Sequence, residues 1–343
     1  MKCKITDIAK DTHLSTATVS KYMNGIKIRP ENAQKIKESI ERLQYTPNRQ
    51  AQLLRSRKNK NILVLLPTIA DYSLGKICNS IEEFLRNNGY TTMISSYAAK
   101  TEDYQSIYQK LTGTLFSGVI IFASTPEIVC IAQKFEERDV PCVFLNMFSQ
   151  KMKYDTVTSD MYQSAFRATV YLIKRGHQIL GLIGNMENSF KTSEYIIGFK
   201  DACKKYGILP MHQKIMISDE GHMNVRHFQD EIETSAQPPT AVISMDYRTT
   251  IEVIQHLAET GISIPEDISL ISIEDDEIFS GFAPPVTSLA HNTKELGTRA
   301  AEILIKRMEE RGTVSHEVEL IPMIFRERMS VRIVEERGYV TEG

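Results

Sequence analysis

The stretch from Ile5 to Leu54 reads ITDIAKDTHLSTATVSKYMNGIKIRPENAQKIKESIERLQYTPNRQAQLL and decides the architecture of the amino-terminal part of the chain. Its apolar residues recur at helical spacing in three short segments, which predicts three small helices around one core. Ser15 offers an oxygen suited to capping the second helix, and Pro30 stands where a third helix can begin. We therefore expect an all-α unit in which a tight turn at His13 joins the first two helices.

One face of the predicted second helix carries short hydroxyl and methyl side chains and one lysine. The residues on this face are Thr16, Ala17, Ser20, Lys21 and Asn24. Such side chains can contact base edges or phosphates without blocking the entry of a helix into the major groove of DNA. Each of them alone could equally be a solvated helix residue, and the whole unit could be an ordinary three-helix surface subdomain.

The charge distribution favours the DNA-binding interpretation. Residues 1–60 contain 14 Lys and Arg against 5 Asp and Glu, a balance of +9, whereas residues 61–343 contain 27 against 38, a balance of −11. A basic unit joined to an acidic body indicates a polyanionic partner at one end only.

The same stretch resembles the DNA-binding headpiece of the lactose repressor family of bacterial transcription regulators. The resemblance rests on ITDIAKDTHLSTATVSKYMNG, on RPENAQKIKESIERLQYTPN and on the arm RQAQLLRSR. It implies that base edges are contacted by Thr16, Ala17 and Lys21, and that phosphates are contacted mostly by Ser15, Thr18, Ser20 and Asn24. The family usually has a small hydroxyl residue before the proline of the third helix. Here Arg29 stands there, and it could supply the phosphate contact.

The arm that follows, NRQAQLLRSR, has an N-cap candidate at Asn48 but is too short and too charged to form a stable helix alone. By resemblance it is a hinge helix that becomes ordered on DNA, pairs with its copy in a homodimer, and inserts Leu54 between base steps of the minor groove. Leu53 could add a second apolar contact or pack against the body. We assign residues 1–47 to a helix-turn-helix headpiece and residues 48–60 to the hinge helix and linker.

Beyond residue 60, apolar runs of strand length alternate with helical stretches. Examples are NILVLLPT at 61–68, GVIIFA at 118–123, ILGLIG at 179–184 and ISLISI at 268–273. Runs that are apolar throughout predict strands of parallel sheets that are covered by helices on both faces. The length of this region fits two such lobes, since single cores stop growing near ~250–300 residues. The expected body is therefore an α/β structure of two doubly wound parallel-sheet lobes, like that of periplasmic binding proteins.

The resemblance continues through this body and implies three crossings between the lobes. We assign 61–158 and 290–316 to the amino-terminal lobe, 159–289 and 317–334 to the carboxy-terminal lobe, and 335–343 to a tail. Ligands of doubly wound folds bind outside the carboxyl ends of the strands, so a small-molecule effector is expected in the cleft between the lobes.

The resemblance places eight residues at this cleft. They are Asp71, Tyr72, Ser73, Asn146, Asp160, Tyr195, Asp246 and Glu274. Relatives that bind sugars usually carry an arginine at the position of Tyr195, so this chain lacks that fork of donors. The remaining acceptors and aromatic rings would suit a ligand with donors, such as an amine or a polyol. Each polar residue could instead cap a helix, and the cleft could be degenerate.

Motifs of catalysis and metal binding do not occur in the sequence. There is no G-x-G-x-x-G, Walker or G-x-S-x-G pattern, and His222 and His227 are five residues apart rather than four. The acidic run Glu274–Glu277 lacks the pattern of a calcium loop, so we expect a solvated loop there. No catalytic residue, metal or cofactor is predicted. The alternatives are an enzyme that uses the cleft carboxylates and a small-molecule binding protein that no longer reads DNA.

The cysteines and the hydropathy indicate the compartment. Five widely spaced cysteines without a C-x-x-C pair are typical of a reducing cytosol. The first residues lack the apolar core of a signal peptide, and no stretch approaches the ~18–20 apolar residues of a membrane span. We therefore expect a cytoplasmic, nucleoid-associated bacterial homodimer, or a higher oligomer, that represses transcription. Its partners would be a palindromic DNA operator and a small-molecule effector.

Overall fold

The structure is a computed structural model that describes residues 5–23, 27–43, 60–97, 104–111, 114–123, 128–146, 154–185, 189–218, 223–310 and 315–334. The chain forms two compact units, Met1–Asn59 and Lys60–Gly343. Three of the predicted DNA-binding residues, Asn24, Asn48 and Leu54, lie outside the described residues, as does Leu53.

The first unit contains α1 (Ile5–Thr12), α2 (Thr16–Met23) and α3 (Pro30–Arg42). Their shared core is formed by the buried side chains of Ile8, Ala9, Val19 and Ile36. Asp11 of α1 accepts a hydrogen bond of 2.5 Å from the Ser39 hydroxyl and pairs with Arg42, both on α3. His13 closes the turn between α1 and α2 with a φ of +52°. The three helices around one core are confirmed.

The second unit adds eight helices in the described part of the chain: α4 (Tyr72–Asn87), α5 (Tyr104–Leu111), α6 (Val129–Glu136), α7 (Met161–Ile173), α8 (Ser189–Lys205), α9 (Met223–Thr234), α10 (Tyr247–Thr260) and α11 (Thr293–Glu309). Its strands are β1 (Asn61–Leu66), β2 (Thr91–Ser96), β3 (Gly118–Phe122), β4 (Cys142–Leu145), β5 (Asp155–Ser159), β6 (Leu180–Asn185), β7 (Gln213–Ser218), β8 (Ala241–Ser244), β9 (Ser269–Ile273), β10 (Thr287–Ala290), β11 (Val318–Ile321) and β12 (Ile324–Arg326).

The strands form two six-stranded sheets, which define a first and a second lobe. The first sheet has the order β11-β5-β4-β3-β1-β2, and the second has the order β12-β10-β9-β8-β6-β7. All neighbouring strands are parallel except β10 and β12, which are antiparallel. The central strands β3 and β9 are buried along their whole length, and β1 is buried after Asn61, because most of their residues are apolar on both faces. The predicted pair of doubly wound lobes is therefore present.

The chain passes between the lobes three times, after β5, after β10 and between β11 and β12. The sequence places 317–334 wholly in the second lobe, and this is wrong for Val318–Ile321. These residues form β11, which pairs with β5 of the first sheet, with Leu320 beside Thr158. A four-residue edge strand that is half exposed has no continuous apolar run, so its sequence does not indicate which sheet it joins.

One glycine in each lobe lets two helices approach closely. A Cβ atom on Gly198 of α8 would lie 2.3 Å from the carbonyl oxygen of Tyr162 on α7. A Cβ atom on Gly297 of α11 would lie 2.8 Å from the carbonyl oxygen of Ile77 on α4. Both distances are shorter than a non-bonded contact allows, so each helix pair packs at a distance that only glycine permits.

Candidate functional sites

The first candidate site is the exposed face of α2, formed by Ser15, Thr16, Ala17 and Lys21, which we call the α2 face. Ser15 caps the helix as predicted, because the Thr18 amide donates to its hydroxyl oxygen at 3.1 Å. Val19 points the opposite way and is fully buried in the core of the unit. The register of α2 therefore exposes all four residues together.

The remaining predicted DNA-binding residues that the structure describes flank this face. Thr18 and Ser20 are half-buried, and the Thr18 hydroxyl lies 2.9 Å from that of Ser15. Arg29 precedes α3, where its carbonyl oxygen accepts the Asn32 amide at 3.0 Å. Its side chain takes no part in the cap and is exposed, so the guanidinium is available for a phosphate.

The second candidate site is a cavity of about 510 Å³ between the two lobes, at the carboxyl ends of their strands. Its volume is in the range of ~300–1,000 Å³ that small-molecule sites occupy. Seven of the eight predicted residues line it, namely Asp71, Tyr72, Ser73, Asn146, Tyr195, Asp246 and Glu274. Asp160 is not among the lining residues. It caps α7 instead, where its carboxylate accepts the Gln163 amide at 2.9 Å.

Two of the predicted carboxylates that line the cavity also cap α-helices. Asp71 accepts the Leu74 amide at 3.0 Å, at the start of α4. Asp246 accepts the Thr249 amide at 2.9 Å and the Thr249 hydroxyl at 2.7 Å, at the start of α10. Burial raises the pKa of Asp246, and the nearby carboxylate of Glu274 raises it further. The capping interpretation is correct for both residues, and it does not remove them from the cavity.

Glu274 is held by charges on two sides. It forms an ion pair with Lys191 of α8, and its carboxylate oxygen lies 3.6 Å from Nε2 of His291. Burial alone would raise the pKa of Glu274, but Lys191 and His291 outweigh it and hold the pKa well below its usual range. The backbone of Glu274 has a φ of +84°, which costs a non-glycine residue ~1–3 kcal/mol.

The neighbouring carboxylate of Asp275 also forms ion pairs within the protein. Its side chain is 3% exposed and pairs with Arg328 at 2.7 Å and with Arg326 at 3.1 Å. The sequence predicts a solvated loop at Glu274–Glu277, and this is wrong for the first two residues. Their partners lie far away in sequence, which is why the run of four acidic residues looks solvated when it is read alone.

Sequence reasoning missed two cationic residues that line the cavity, Lys191 and Arg248. The signal for Lys191 was its spacing, because it precedes Tyr195 by one helical turn and lies on the same face of α8. Arg248 lies in the first turn of α10 and is exposed. The sequence predicts a cleft lined by hydrogen-bond acceptors and aromatic rings, and this is incomplete. Lys191 and Arg248 supply hydrogen-bond donors, from positions other than that of Tyr195.

Two buried polar atoms in the cavity lining lack a hydrogen bond to any described residue. They are the hydroxyl oxygen of Tyr195, whose side chain is 1% exposed, and Oδ1 of Asn146. Tyr195 belongs to the second lobe, and Asn146 follows β4 of the first lobe. A buried polar atom without a partner costs ~1–3 kcal/mol. A ligand that bonds both atoms would recover that energy and bridge the lobes.

Two contacts join the lobes beside the cavity. Nδ1 of His291 lies 2.7 Å from the hydroxyl oxygen of Ser159; Ser159 ends β5 and His291 directly follows β10, each at a crossing between the lobes. The ammonium of Lys76 on α4 lies 2.9 Å from the carboxylate of Glu277 in the second lobe. The lobes are therefore in contact both at the crossings and at α4.

The described part of the chain holds neither a candidate metal centre nor a membrane span. No group of three or more His, Cys, Asp or Glu residues in these ranges could hold a metal ion. Within the same ranges, no helix has the length and hydropathy needed to cross a membrane.

The fold defines a class of protein in which a two-lobed binding body with a cleft is joined to a helix-turn-helix unit. A family model for the periplasmic binding protein-like domain matches residues 169–331. The HTH-type transcriptional repressor PurR of Vibrio atlanticus is 25% identical over 331 residues, which cover 96% of this chain and 98% of that protein. The HTH-type transcriptional repressor CytR of Escherichia coli (strain K12) is 25% identical over 305 residues, which cover 88% and 89%.

A solved structure with the same fold is that of the lac repressor dimer bound to operator and the anti-inducer ONPF. It matches with a TM-score of 0.80 at 19% sequence identity, over 97% of this chain and 100% of that one. The motifs, the fold and these similarities along nearly the whole chain agree with a resemblance to the lactose repressor family of transcriptional regulators. The PurR and CytR relatives are transcriptional repressors.

Proposed function

We propose that this protein is a sequence-specific DNA-binding repressor that binds a palindromic operator as a homodimer, with an affinity set by a small molecule in the interlobe cleft. The observation that carries the proposal is the α2 face. Four small or basic residues are exposed there together on a helix whose other side is buried in the core. A helix with such a face fits the major groove.

In this proposal Thr16, Ala17 and Lys21 contact base edges. Ser15, Thr18, Ser20, Asn24 and Arg29 contact phosphates and fix the register of the helix on the duplex. The hinge residues Asn48 and Leu54 would become ordered on DNA, Leu54 as a wedge in the minor groove. A DNA target implies a protein of the bacterial cytoplasm that associates with the nucleoid.

A homodimer is supported by the edge of the first sheet. The edge strand β2 exposes the large apolar side chains of Met93 and Ile94. Exposed apolar edge strands are places where a second chain can pair or pack. A two-fold dimer would bring two headpieces to half-sites about one helical turn apart, ~10 base pairs.

The cleft supplies the regulation. Because the cavity is lined by both lobes, a ligand in it stabilises one relative position of the lobes over others. If that position changes the dimer contact, ligand binding and DNA binding share a coupling free energy of ~1–3 kcal/mol. We propose this coupling as the switch.

The test selects duplexes from a random pool with the full-length protein and compares two variants on the enriched sequence. We expect a palindrome to be enriched. Lys21→Ala should lower the affinity for it at least about tenfold and relax the base preference, because a base contact is worth ~1–3 kcal/mol. Lys37→Ala removes the same charge from an exposed position of α3 and serves as the matched control. It should weaken specific and non-specific binding equally.

Two results would contradict the proposal. The first is a pool without any enriched palindrome. The second is a Lys21→Ala variant that binds the selected DNA as well as Lys37→Ala does. Either result would favour a small-molecule binding protein whose head does not read DNA.

A further inference from the structure

We propose that the ligand of the cleft is a polyhydroxylated molecule with a single anionic group, and that Arg248 binds this group. The inference rests on the proposed function, because it names the chemical class of the ligand that the regulatory cleft takes. The sequence alone predicts an amine or a polyol; the inference keeps the polyol and replaces the amine with an anion, because the carboxylates of the cleft already have partners.

The carboxylates of the cavity are already engaged. Glu274 is paired with Lys191, and Asp275 is paired with Arg326 and Arg328. The other three lining carboxylates, those of Asp71, Asp246 and Asp276, each accept a backbone amide at the start of a helical segment. Each of these three carboxylates therefore already has a hydrogen-bond donor from the protein backbone. A ligand ammonium would have to compete with partners that the protein already supplies.

Arg248 differs from every other charged residue that lines the cavity. Its guanidinium forms no hydrogen bond or ion pair with any residue that the structure describes, although five carboxylates line the same cavity. It stands in the first turn of α10, a helix of 14 residues, where the helix dipole also favours an anion. A guanidinium matches a carboxylate or a phosphate with two parallel hydrogen bonds. A guanidinium that has no partner among the described residues therefore favours a ligand with an anionic group.

The buried part of the cavity indicates which groups the rest of the ligand carries. The Tyr195 hydroxyl and Oδ1 of Asn146 are both buried without a partner among the described residues. Oδ1 of Asn146 requires a donor, and the Tyr195 hydroxyl can donate or accept. A ligand hydroxyl satisfies either atom and adds no charge beside the Lys191–Glu274 pair. Hydroxyl groups inside and one anionic group at Arg248 are the combination that leaves no polar atom of this set without a partner.

The experiment measures binding to the full-length protein by calorimetry and thermal shift, at matched ionic strength. The probes are neutral polyols and their anionic counterparts: glucitol with gluconate, glucose with glucuronate, and glucose with glucose 6-phosphate. The carboxylate and phosphate pairs distinguish the two sources of the charge. In at least one pair the anionic member should bind about tenfold or more tightly than the neutral one, as expected for a charge-assisted bond of ~1.5–3 kcal/mol.

Variants separate the roles of the residues. Arg248→Gln should abolish the preference for the anionic member of the pair. Arg226→Gln, an exposed arginine of α9 outside the cavity lining, is the matched control and should keep the preference. Tyr195→Phe should weaken both members of a pair by a similar factor, because it removes a hydroxyl contact and no charge.

The proposal is overturned if the neutral members bind as well as the anionic ones, if Arg248→Gln keeps the preference, or if none of the probes binds. None of these results touches the DNA-binding proposal, which is tested without ligand. Conversely, the absence of an enriched palindrome would leave the ligand preference intact.

Discussion

The two lobes of the body share a strand order but give the cleft different chemistry. The first lobe contributes mostly neutral groups, such as Thr68, Ala123 and Asn146. Among the described residues, Asp71 is the one charged residue of this lobe that lines the cleft, and it forms no ion pair with them. The second lobe contributes the Lys191–Glu274 pair, further carboxylates and Arg248. The two lobes thus have the same fold, but most of the charged side chains that line the cleft belong to the second lobe.

The lobes also use their buried ion pairs differently. In the first lobe, Asp155 of β5 receives two hydrogen bonds of 2.7 Å from Arg307 of α11, outside the cavity. In the second lobe, the Lys191–Glu274 pair lines the cavity itself. The pair in the first lobe holds a strand to a helix, whereas the pair in the second lobe shapes a binding site. Substitutions in each lobe test this contrast, from the largest expected effect to the smallest.

The largest effect is expected from Asp155→Asn in the first lobe. Asp155 is 3% and Arg307 is 11% exposed, so the substitution leaves a buried guanidinium without its counter-charge. Removing one partner of a buried pair costs about 3–5 kcal/mol. Urea unfolding should show this loss, and hydrogen exchange should accelerate in β5 and α11 while β9 is unchanged. Glu309→Gln, an exposed carboxylate on the same helix, is the control. An equal effect of the two substitutions would refute the structural role of the pair.

The next largest effect is a loss of folding stability at acidic pH, and it arises in the second lobe. His177 is 1% exposed, its Nδ1 lies 3.0 Å from the Thr240 hydroxyl, and burial lowers its pKa to about 4. In the unfolded chain the imidazole takes up its proton near the ordinary histidine pKa of 6.5, whereas the folded protein resists protonation until about 4. His177 therefore destabilises the fold as the pH falls from 6.5 to 4, by about 3 kcal/mol at the lower end.

The two lobes are expected to lose stability in different pH ranges. The variant His177→Asn should flatten the dependence of the unfolding free energy on pH between 6.5 and 4, measured against the wild type at each pH. In the first lobe, burial would raise the pKa of Asp155 but Arg307 lowers it below 3.8, so this pair loses its contribution only as the pH falls below that value. Parallel pH curves for wild type and His177→Asn would show that this histidine does not make the second lobe acid-sensitive.

The smallest effects are expected where the lobes are alike, at the glycines between paired helices. Gly198→Ala places a methyl group 2.3 Å from a carbonyl oxygen, and Gly297→Ala places one 2.8 Å from a carbonyl oxygen. Overpacking of this kind costs about 1–3 kcal/mol, so both variants should lower the melting temperature, the first more than the second. Gly75→Ala on α4 meets no atom within 4 Å and should stabilise the protein by up to about 1 kcal/mol. The reverse order for Gly198 and Gly297 would contradict this packing.

The α2 face could be predicted because its residues are neighbours in sequence. Helical spacing alone puts Val19 inward and Thr16, Ala17 and Lys21 outward, and the structure agrees. The sheets could be predicted for a similar reason, since a continuous apolar run such as that of β3 marks a strand that is covered on both faces.

The chemistry of the cleft could not be predicted in the same way. Lys191 and Glu274 are 83 residues apart, and Ser159 and His291 are 132 apart. Nothing local reveals that Glu274 is already paired or that Arg248 has no partner among the described residues. The lobe to which β11 belongs depends on hydrogen bonds to β5, which lies about 160 residues earlier in the chain. Such pairings are decided by the assembled lobes, and no window of the sequence contains both partners.

The placement of β11 and β12 has a consequence for synthesis on the ribosome. The strand β1 leaves the ribosome early, yet the outer strand of its sheet, β11, is translated only at Val318–Ile321, immediately before β12 completes the other sheet. A nascent chain therefore carries two sheets with an unpaired edge until β11 and β12 have been translated. Stalled or prematurely terminated chains would share this defect in both lobes at once, and exposed edges are what chaperones and proteases encounter in unfinished proteins.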